Sequence, residues 1–249
     1  MSELRSSLHD YRAVVFDLDN TLTDTKRYPV RACKWLLSEA GVDPDRDIEP
    51  FLSILVREYF KGLEKVVTGG PYRDPYAIVR TAMGNASREF GLNVDECVLD
   101  EATMLFRALH VEVPELRDGV RQILTTLRGY GVRLGVVTNS FEGHIRPILS
   151  RIKIIDLFDA IVDPSMVRAY KPMPQPFESV MAILGTRPPD TLYIGDEFYA
   201  DVVGAKRLGI DVVWLNHRGQ SLDQHLEKHG PEYRPSLVVS EMVELLKLL

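Results

Sequence analysis

Residues 14–23, VVFDLDNTLT, run from three apolar side chains into two carboxylates, Asp17 and Asp19, followed by Asn20 and the hydroxyls of Thr21 and Thr23. A short apolar run that ends in acidic and turn-forming residues reads as a buried central strand delivering its last side chains to the mouth of a sheet. Strand alternation predicts Asp17 and Asp19 on one face and Leu18 on the other. At an effective dielectric near 20, two like charges about 4 Å apart repel by about 4 kcal/mol, so such a pair holds a cation, shares a proton or does both. The plain alternative is a strand exit whose acids point into water. An EF-hand is excluded, because its sixth and twelfth positions require glycine and glutamate where this chain has Leu22 and Tyr28.

Outward from that stretch, residues 24–112 read as helical: apolar residues cluster around Trp35–Leu37, Phe51–Leu55 and Leu99–Leu109, with Gly41, Pro44 and Gly91 as punctuation. Thr68 to Pro75, TGGPYRDP, is the longest irregular piece. From Pro114 helices and strands alternate. Asp118 is the expected cap of a helix through Leu127, and Val132–Thr138 is a strand. A helix is expected over Phe141–Ile152, a strand over Ala160–Val162 and a helix over Pro174–Leu184. Thr191–Ile194 and Asp211–Leu215 read as strands around a helix at Ala200–Leu208. The chain then closes with a strand at Leu237–Val239 and a helix from Ser240, its expected N-cap. This grammar predicts an α/β fold: a Rossmann-like, three-layer parallel sheet core from residues 1–23 and 113–249, with an all-helical cap domain, residues 24–112, inserted after the first strand. The crevice of such a sheet lies at the carboxyl ends of its strands, where the insertion forms a roof.

Three further polar clusters fall at strand ends. Thr138-Asn139-Ser140 offers a hydroxyl and backbone N–H groups to an oxyanion, though such a turn is also common after a strand. Lys171 sits in the proline-stiffened run Tyr170-Lys171-Pro172, with Pro174 and Pro176 beyond; taken alone it is one lysine among many. Ile194-Gly195-Asp196 ends a strand, and Asp201 follows at the start of a helix. These oxygen ligands suit Mg²⁺, while Asp201 also reads as an ordinary acid at a helix N-terminus. Chance does not readily assemble all four.

Composition bounds the rest. The chain has 249 residues, 45% hydrophobic, with a formal net charge of −6. No basic block stands out to neutralise phosphates, so nucleic acid is not an expected partner. No apolar stretch long enough for a membrane span and no signal-like N-terminus is present, so no membrane partner and a cytoplasmic location are expected. Cys33 and Cys97 read as small buried hydrophobes, and His225 and His229 as part of a solvated helix face.

The four clusters closely resemble the motifs of the haloacid dehalogenase superfamily of phosphatases, over nearly the whole chain. The first motif is matched by Asp17, Asp19 and Thr21, the second by Thr138 with Asn139, the third by Lys171, and the fourth by Asp196 and Asp201. A helical insertion after the first motif is that family's commonest cap arrangement. FDLDNTLTDT and the KPxPxxF run are similar to the branch of N-acylneuraminate-9-phosphatase, phosphoglycolate phosphatase and archaeal glyceraldehyde-3-phosphate phosphatase. The resemblance implies a small phosphorylated metabolite as substrate; a monomer or homodimer is expected. It implies Asp17 as the nucleophile that forms an aspartyl-phosphate and Asp19 as general acid and base. Asn20, Thr21, Thr138, Asn139 and Lys171 would receive the phosphate. Mg²⁺ would be held by Asp17, the backbone carbonyl of Asp19 and Asp196, with Asp201 a further ligand or the partner of one. Crowding by an ionised Asp17 is expected to leave Asp19 its proton. In the cap, Arg73 in the Gly69-Gly70 loop is the candidate contact to the leaving group, the plain alternative being a surface connection between cap helices. Dehalogenase and phosphomutase chemistry use the same core; a receiver-type phospho-acceptor or an idle scaffold are the non-enzyme alternatives.

Overall fold

The structure, a computed structural model, describes residues 4–25 and 27–249. The sheet strands are β1 (Ala13–Phe16), β4 (Arg133–Val137), β5 (Ala160–Val162), β6 (Thr191–Gly195), β7 (Asp211–Leu215) and β8 (Leu237–Val239), and a separate ribbon pairs β2 (Thr23–Asp24) with β3 (Glu115–Leu116). The six-stranded sheet is parallel, in the order β5-β4-β1-β6-β7-β8, with β1 between β4 and β6. Strand alternation divides the core in two. Val14, Phe16, Leu134, Val136, Leu192 and Ile194 pack on one face, and Ala13, Val15, Val137, Tyr193, Val212 and Trp214 on the other. Burial on both faces explains why β1 and β7 read as continuous apolar runs.

Four helices, α1 (Arg27–Glu39), α2 (Pro44–Val67), α3 (Pro75–Glu89) and α4 (Glu96–Glu112), lie between β2 and β3. Two begin at aspartates followed by proline: Asp43 accepts from the N–H groups of Asp45 and Arg46, and Asp74 from that of Tyr76. The insertion has its own core around Leu36, Phe51, Met83, Ala86 and Phe106. Phe141, from the loop after β4, is buried in that same core.

The remaining helices are α5 (Val120–Gly129), α6 (Ile145–Arg151), α7 (Pro164–Val167), α8 (Pro174–Leu184), α9 (Gly204–Arg207) and α10 (Leu222–His229). Several boundaries differ from expectation. The N-cap of α5 is Gly119, at φ 79, rather than Asp118. A Cβ at Gly119 would meet the Val243 side chain at 2.9 Å, so both backbone conformation and space favour glycine. The α6 helix starts only at Ile145, because Phe141 is committed to the insertion's core; Pro147 falls in its first turn, where the missing N–H costs little. The helix expected at Ala200–Leu208 is a π-helix at Phe198–Val203 followed by α9. The C-terminal element is a 3₁₀ helix, Met242–Leu248, capped by Glu241 rather than Ser240. Cys33 is buried, and burial pushes its thiol up to about 12; Cys97 is exposed, against expectation. His225 and His229 stack on Phe198 at 4.5 and 5.9 Å between centroids, so that face of α10 is half-buried rather than solvated. Among the described residues, no helix is long and apolar enough to cross a membrane.

Candidate active site

The carboxyl ends of the neighbouring parallel strands β4, β1 and β6 carry the acidic and hydroxyl residues. Asp17 follows β1, Thr138 follows β4 and Asp196 follows β6, so the three arrive at one sheet edge. Lys171 comes from the loop between α7 and α8 rather than from a strand end as expected, because α7 intervenes after β5. Its Nζ donates to Asp17 Oδ1 at 2.6 Å, Asp201 Oδ1 at 2.7 Å, Tyr193 Oη at 2.9 Å and the Val137 carbonyl at 3.1 Å. Asn139 clamps the Lys171 backbone: its Nδ2 donates to the Lys171 carbonyl at 2.9 Å, and its Oδ1 accepts from the Lys171 N–H at 2.7 Å. Both motif residues are thus used on each other. The lysine is buried, and although desolvation works against its charge, Asp17 and Asp201 hold its pKa well above the ordinary value.

Single carboxylate oxygens of Asp17, Asp196 and Asp201 lie within 4.8 Å of one another, and all three residues are buried. Burial, with Asp201 and Asp196 adding repulsion, pushes Asp17 well above the usual carboxylate range against the pull of Lys171. Asp196 is pushed up to about 8 by burial, Glu197 and Asp201, despite Arg218. Three buried acids against Lys171 and Arg218 leave one negative charge unbalanced, which is the environment a divalent cation relieves. Asp196 also accepts from Arg218 and, at 3.4 Å, from Thr21 Oγ1. Asp201 uses both oxygens: Oδ1 accepts from Lys171 and Tyr193, and Oδ2 from the Glu197 N–H at 2.9 Å. Gly195 makes this possible, since a Cβ there would lie 2.4 Å from the Asp201 carboxyl carbon.

Asp19 stands apart from that group. The chain leaves the strand after Phe16 and turns, the Leu18 carbonyl accepting from the N–H groups of Leu22 and Thr23. Strand alternation therefore stops before the second acid. Its carboxylate meets the insertion instead, 3.1 Å from His110 Nε2 on α4. Burial alone would raise Asp19, but the His110 imidazole and the Ser140 hydroxyl hold it below the usual range. The expected order of the two acids is thus reversed in the free protein: Asp17 is the harder to ionise and Asp19 the easier, because their partners differ. Among the phosphate-binding candidates, Asn20 adopts φ 61 and its Oδ1 accepts from Thr25 Oγ1 at 3.1 Å, while Thr138 Oγ1 accepts from the Ser140 N–H at 3.1 Å. The Arg73 guanidinium is turned along α3, donating to the Ala77 carbonyl at 3.3 Å and Thr81 Oγ1 at 2.9 Å.

His110, Tyr193, His144 and Arg218 escape the sequence reading. Each is an isolated residue with no motif spacing; only Tyr193, the one hydroxyl-bearing aromatic in an otherwise apolar strand run, carries a local signal.

Residues 14–215 match the haloacid dehalogenase-like hydrolase family, and the chain belongs to it. It is 30% identical over 244 residues to a phosphoglycolate phosphatase of Pseudomonas putida, covering 94% of this chain and 78% of that one. To a glyceraldehyde 3-phosphate phosphatase of Pyrococcus furiosus it is 25% identical, covering 96% and 92%. It is 30% identical to a beta-phosphoglucomutase of Bacillus subtilis over 187 residues, 74% of this chain and 75% of that one. Among solved structures, magnesium-bound YfnB from Bacillus subtilis superimposes with a TM-score of 0.79 at 21% identity, covering 96% of this chain and 98% of that one. The L-2-haloacid dehalogenase of Xanthobacter autotrophicus gives 0.73 at 19%, covering 96% and 98%. These two likenesses establish the shared fold.

Proposed function

We propose that this protein is a Mg²⁺-dependent phosphatase of small phosphate monoesters, of the sugar-phosphate or phosphoglycolate kind, with residues 1–23 and 113–249 as catalytic core and 24–112 as cap. The observation that carries the reading is the division of labour between two acids two residues apart: Asp17 faces Lys171 and the other core acids, and Asp19 faces the cap. A carboxylate oxygen of Asp17 attacks phosphorus, the P–O bond to the leaving group breaks, and Asp19 gives its proton to the departing oxygen. Asp19 then takes a proton from water, whose oxygen attacks phosphorus, releasing phosphate and regenerating Asp17. The acid role needs a proton that His110 discourages in the free protein; an anionic phosphate beside Asp19 raises its proton affinity as substrate enters. Thr21, Thr138 and backbone N–H groups receive phosphoryl oxygens, and Lys171 balances the charge on Asp17. Asp17, the Asp19 carbonyl and Asp196 are the residues that would hold Mg²⁺, with Asp201 a further ligand or the partner of one. When bound, the ion supplies positive charge to offset the carboxylates and phosphoryl oxygens.

The phosphatase and phosphomutase relatives share this chemistry up to the second acceptor, and free phosphate distinguishes them. Purified protein assayed on a panel of phosphate monoesters should release phosphate with Mg²⁺ and stop in EDTA, and Asp17→Asn should form no phosphoenzyme while remaining folded. Turnover undiminished by EDTA, or by Asp17→Asn, would refute the assignment.

A further inference from the structure

His110 is fully buried on α4, one turn before the insertion returns to the core, and both its ring nitrogens are engaged. Nε2 lies 3.1 Å from Asp19 Oδ1 and 3.0 Å from Ser140 Oγ, and Nδ1 lies 3.0 Å from His144 Nδ1. The ring packs edge-on against Tyr28 at 4.8 Å and Phe141 at 4.9 Å between centroids, and stacks on His144 at 5.3 Å. Its orientation is therefore set by packing as well as by hydrogen bonds.

Arg107 determines the direction of this chain of bonds. A guanidinium only donates, and Arg107 Nε lies 3.4 Å from His144 Nε2, which must then accept. His144 consequently carries its proton on Nδ1 and donates to His110 Nδ1. That leaves the His110 proton on Nε2, pointing at Asp19. The Tyr76 hydroxyl, also directed at His144 Nε2, runs the same way. The bonds from Arg107 and Tyr76 through His144 and His110 thus run towards one carboxylate oxygen.

We propose that His110 is a positioning residue for Asp19: the cap, seated through His110 on both Asp19 and Ser140, holds the acid/base carboxylate in place beside the loop that follows β4. This deepens the phosphatase reading and rests on it. The burial of Phe141 in the cap's core supplies the second anchor, since the same loop carries Thr138, Asn139 and Ser140. An acid placed by the cap acts on the leaving group only when the cap is seated, which ties proton transfer to enclosure of the substrate.

The test uses the full chain with Mg²⁺ and two substrates, an alkyl phosphate such as glycerol phosphate and the activated ester p-nitrophenyl phosphate. His110→Phe preserves the ring's packing and removes the donor; it should lower kcat on the alkyl ester by about tenfold or more and on p-nitrophenyl phosphate by less than about threefold, with KM little changed. His110→Gln, whose amide keeps a donor, should recover most of the alkyl-ester loss. Equal losses on both esters, with no recovery in the glutamine variant, would overturn the proposal. A second readout needs no turnover: in unfolding experiments, Asp19→Asn and His110→Phe combined should depart from the product of their separate effects on the unfolding constant by about threefold or more. Independence of the two would overturn the positioning role whatever the activity. Coupling in a protein that hydrolyses neither ester would support the contact and refute the phosphatase reading instead.

Discussion

The Lys171 ammonium lies 2.6 Å from the Asp17 carboxylate, although the two are 154 positions apart in the chain. Its other carboxylate partner, Asp201, is fully buried, so the lysine is the charge that keeps two acids tolerable in the core. Breaking a buried pair by removing one partner costs about 3–5 kcal/mol. Lys171→Met should therefore lower the thermal midpoint markedly in EDTA, with part of the loss regained in Mg²⁺, and should abolish the turnover seen in Mg²⁺. A melt unchanged in EDTA would show that the acids are neutral without the lysine.

Asp19→Asn keeps the shape of the side chain and loses the proton. Alkyl phosphates should lose about 10²-fold or more in phosphoryl transfer, whereas p-nitrophenyl phosphate, with its better leaving group, should lose far less in that step. Rapid-quench measurement separates this step from hydrolysis of the phosphoenzyme, which the variant should also slow. Equal losses in phosphoryl transfer for both esters would remove Asp19 from the acid role.

Mg²⁺ should raise the thermal midpoint of the wild-type protein by binding the folded state. Asp196→Asn replaces the buried carboxylate proposed to hold the ion by a neutral amide and should shift the Mg²⁺ concentration for half-maximal activity upward by about tenfold or more. An unchanged Mg²⁺ requirement would place the ion elsewhere.

Burial pushes His144 down to about 4, with His110 and Arg107 adding to the effect. The unfolded chain binds this proton near pH 6.5 and the folded protein only near 4. The stability of the neutral ring is thus fully present above about pH 6.5 and is lost as pH falls towards 4, on the order of 3 kcal/mol in total. His144→Asn should flatten the unfolding free energy across that window relative to wild type, as denaturant titrations at several pH values would reveal. Identical slopes would mean that His144 titrates normally.

The bonds of Arg73 to Ala77 and Thr81 brace the start of α3. Arg73→Ala should accordingly change kcat/KM in parallel for the best natural ester and for p-nitrophenyl phosphate. A selective loss on the natural ester would restore Arg73 to leaving-group recognition, requiring it to swing away from α3.

The clusters that end β1, β4 and β6, the parallel α/β grammar and the helical insertion were legible in the sequence because each depends on local pattern. Apolar runs mark strands buried on both faces, proline and aspartate mark helix starts, and carboxylates at strand ends mark the crevice. Thus Asp17, Thr138 and Asp196 stood out by their place at the ends of apolar runs, whereas Lys171 and Asp201 stood out only in company with the other clusters. Tertiary structure alone decided how those residues share their bonds. Alternation along β1 suggested that Asp17 and Asp19 would face one spot, but the turn at Leu18 sends them to different partners. His110 and Asp19 meet across 91 residues of sequence, and no periodicity records which residue of α4 the return to β3 brings over the core. The order of the acids follows from that contact: ionisation depends on burial and on the nearest donor, both set by packing between the insertion and the sheet.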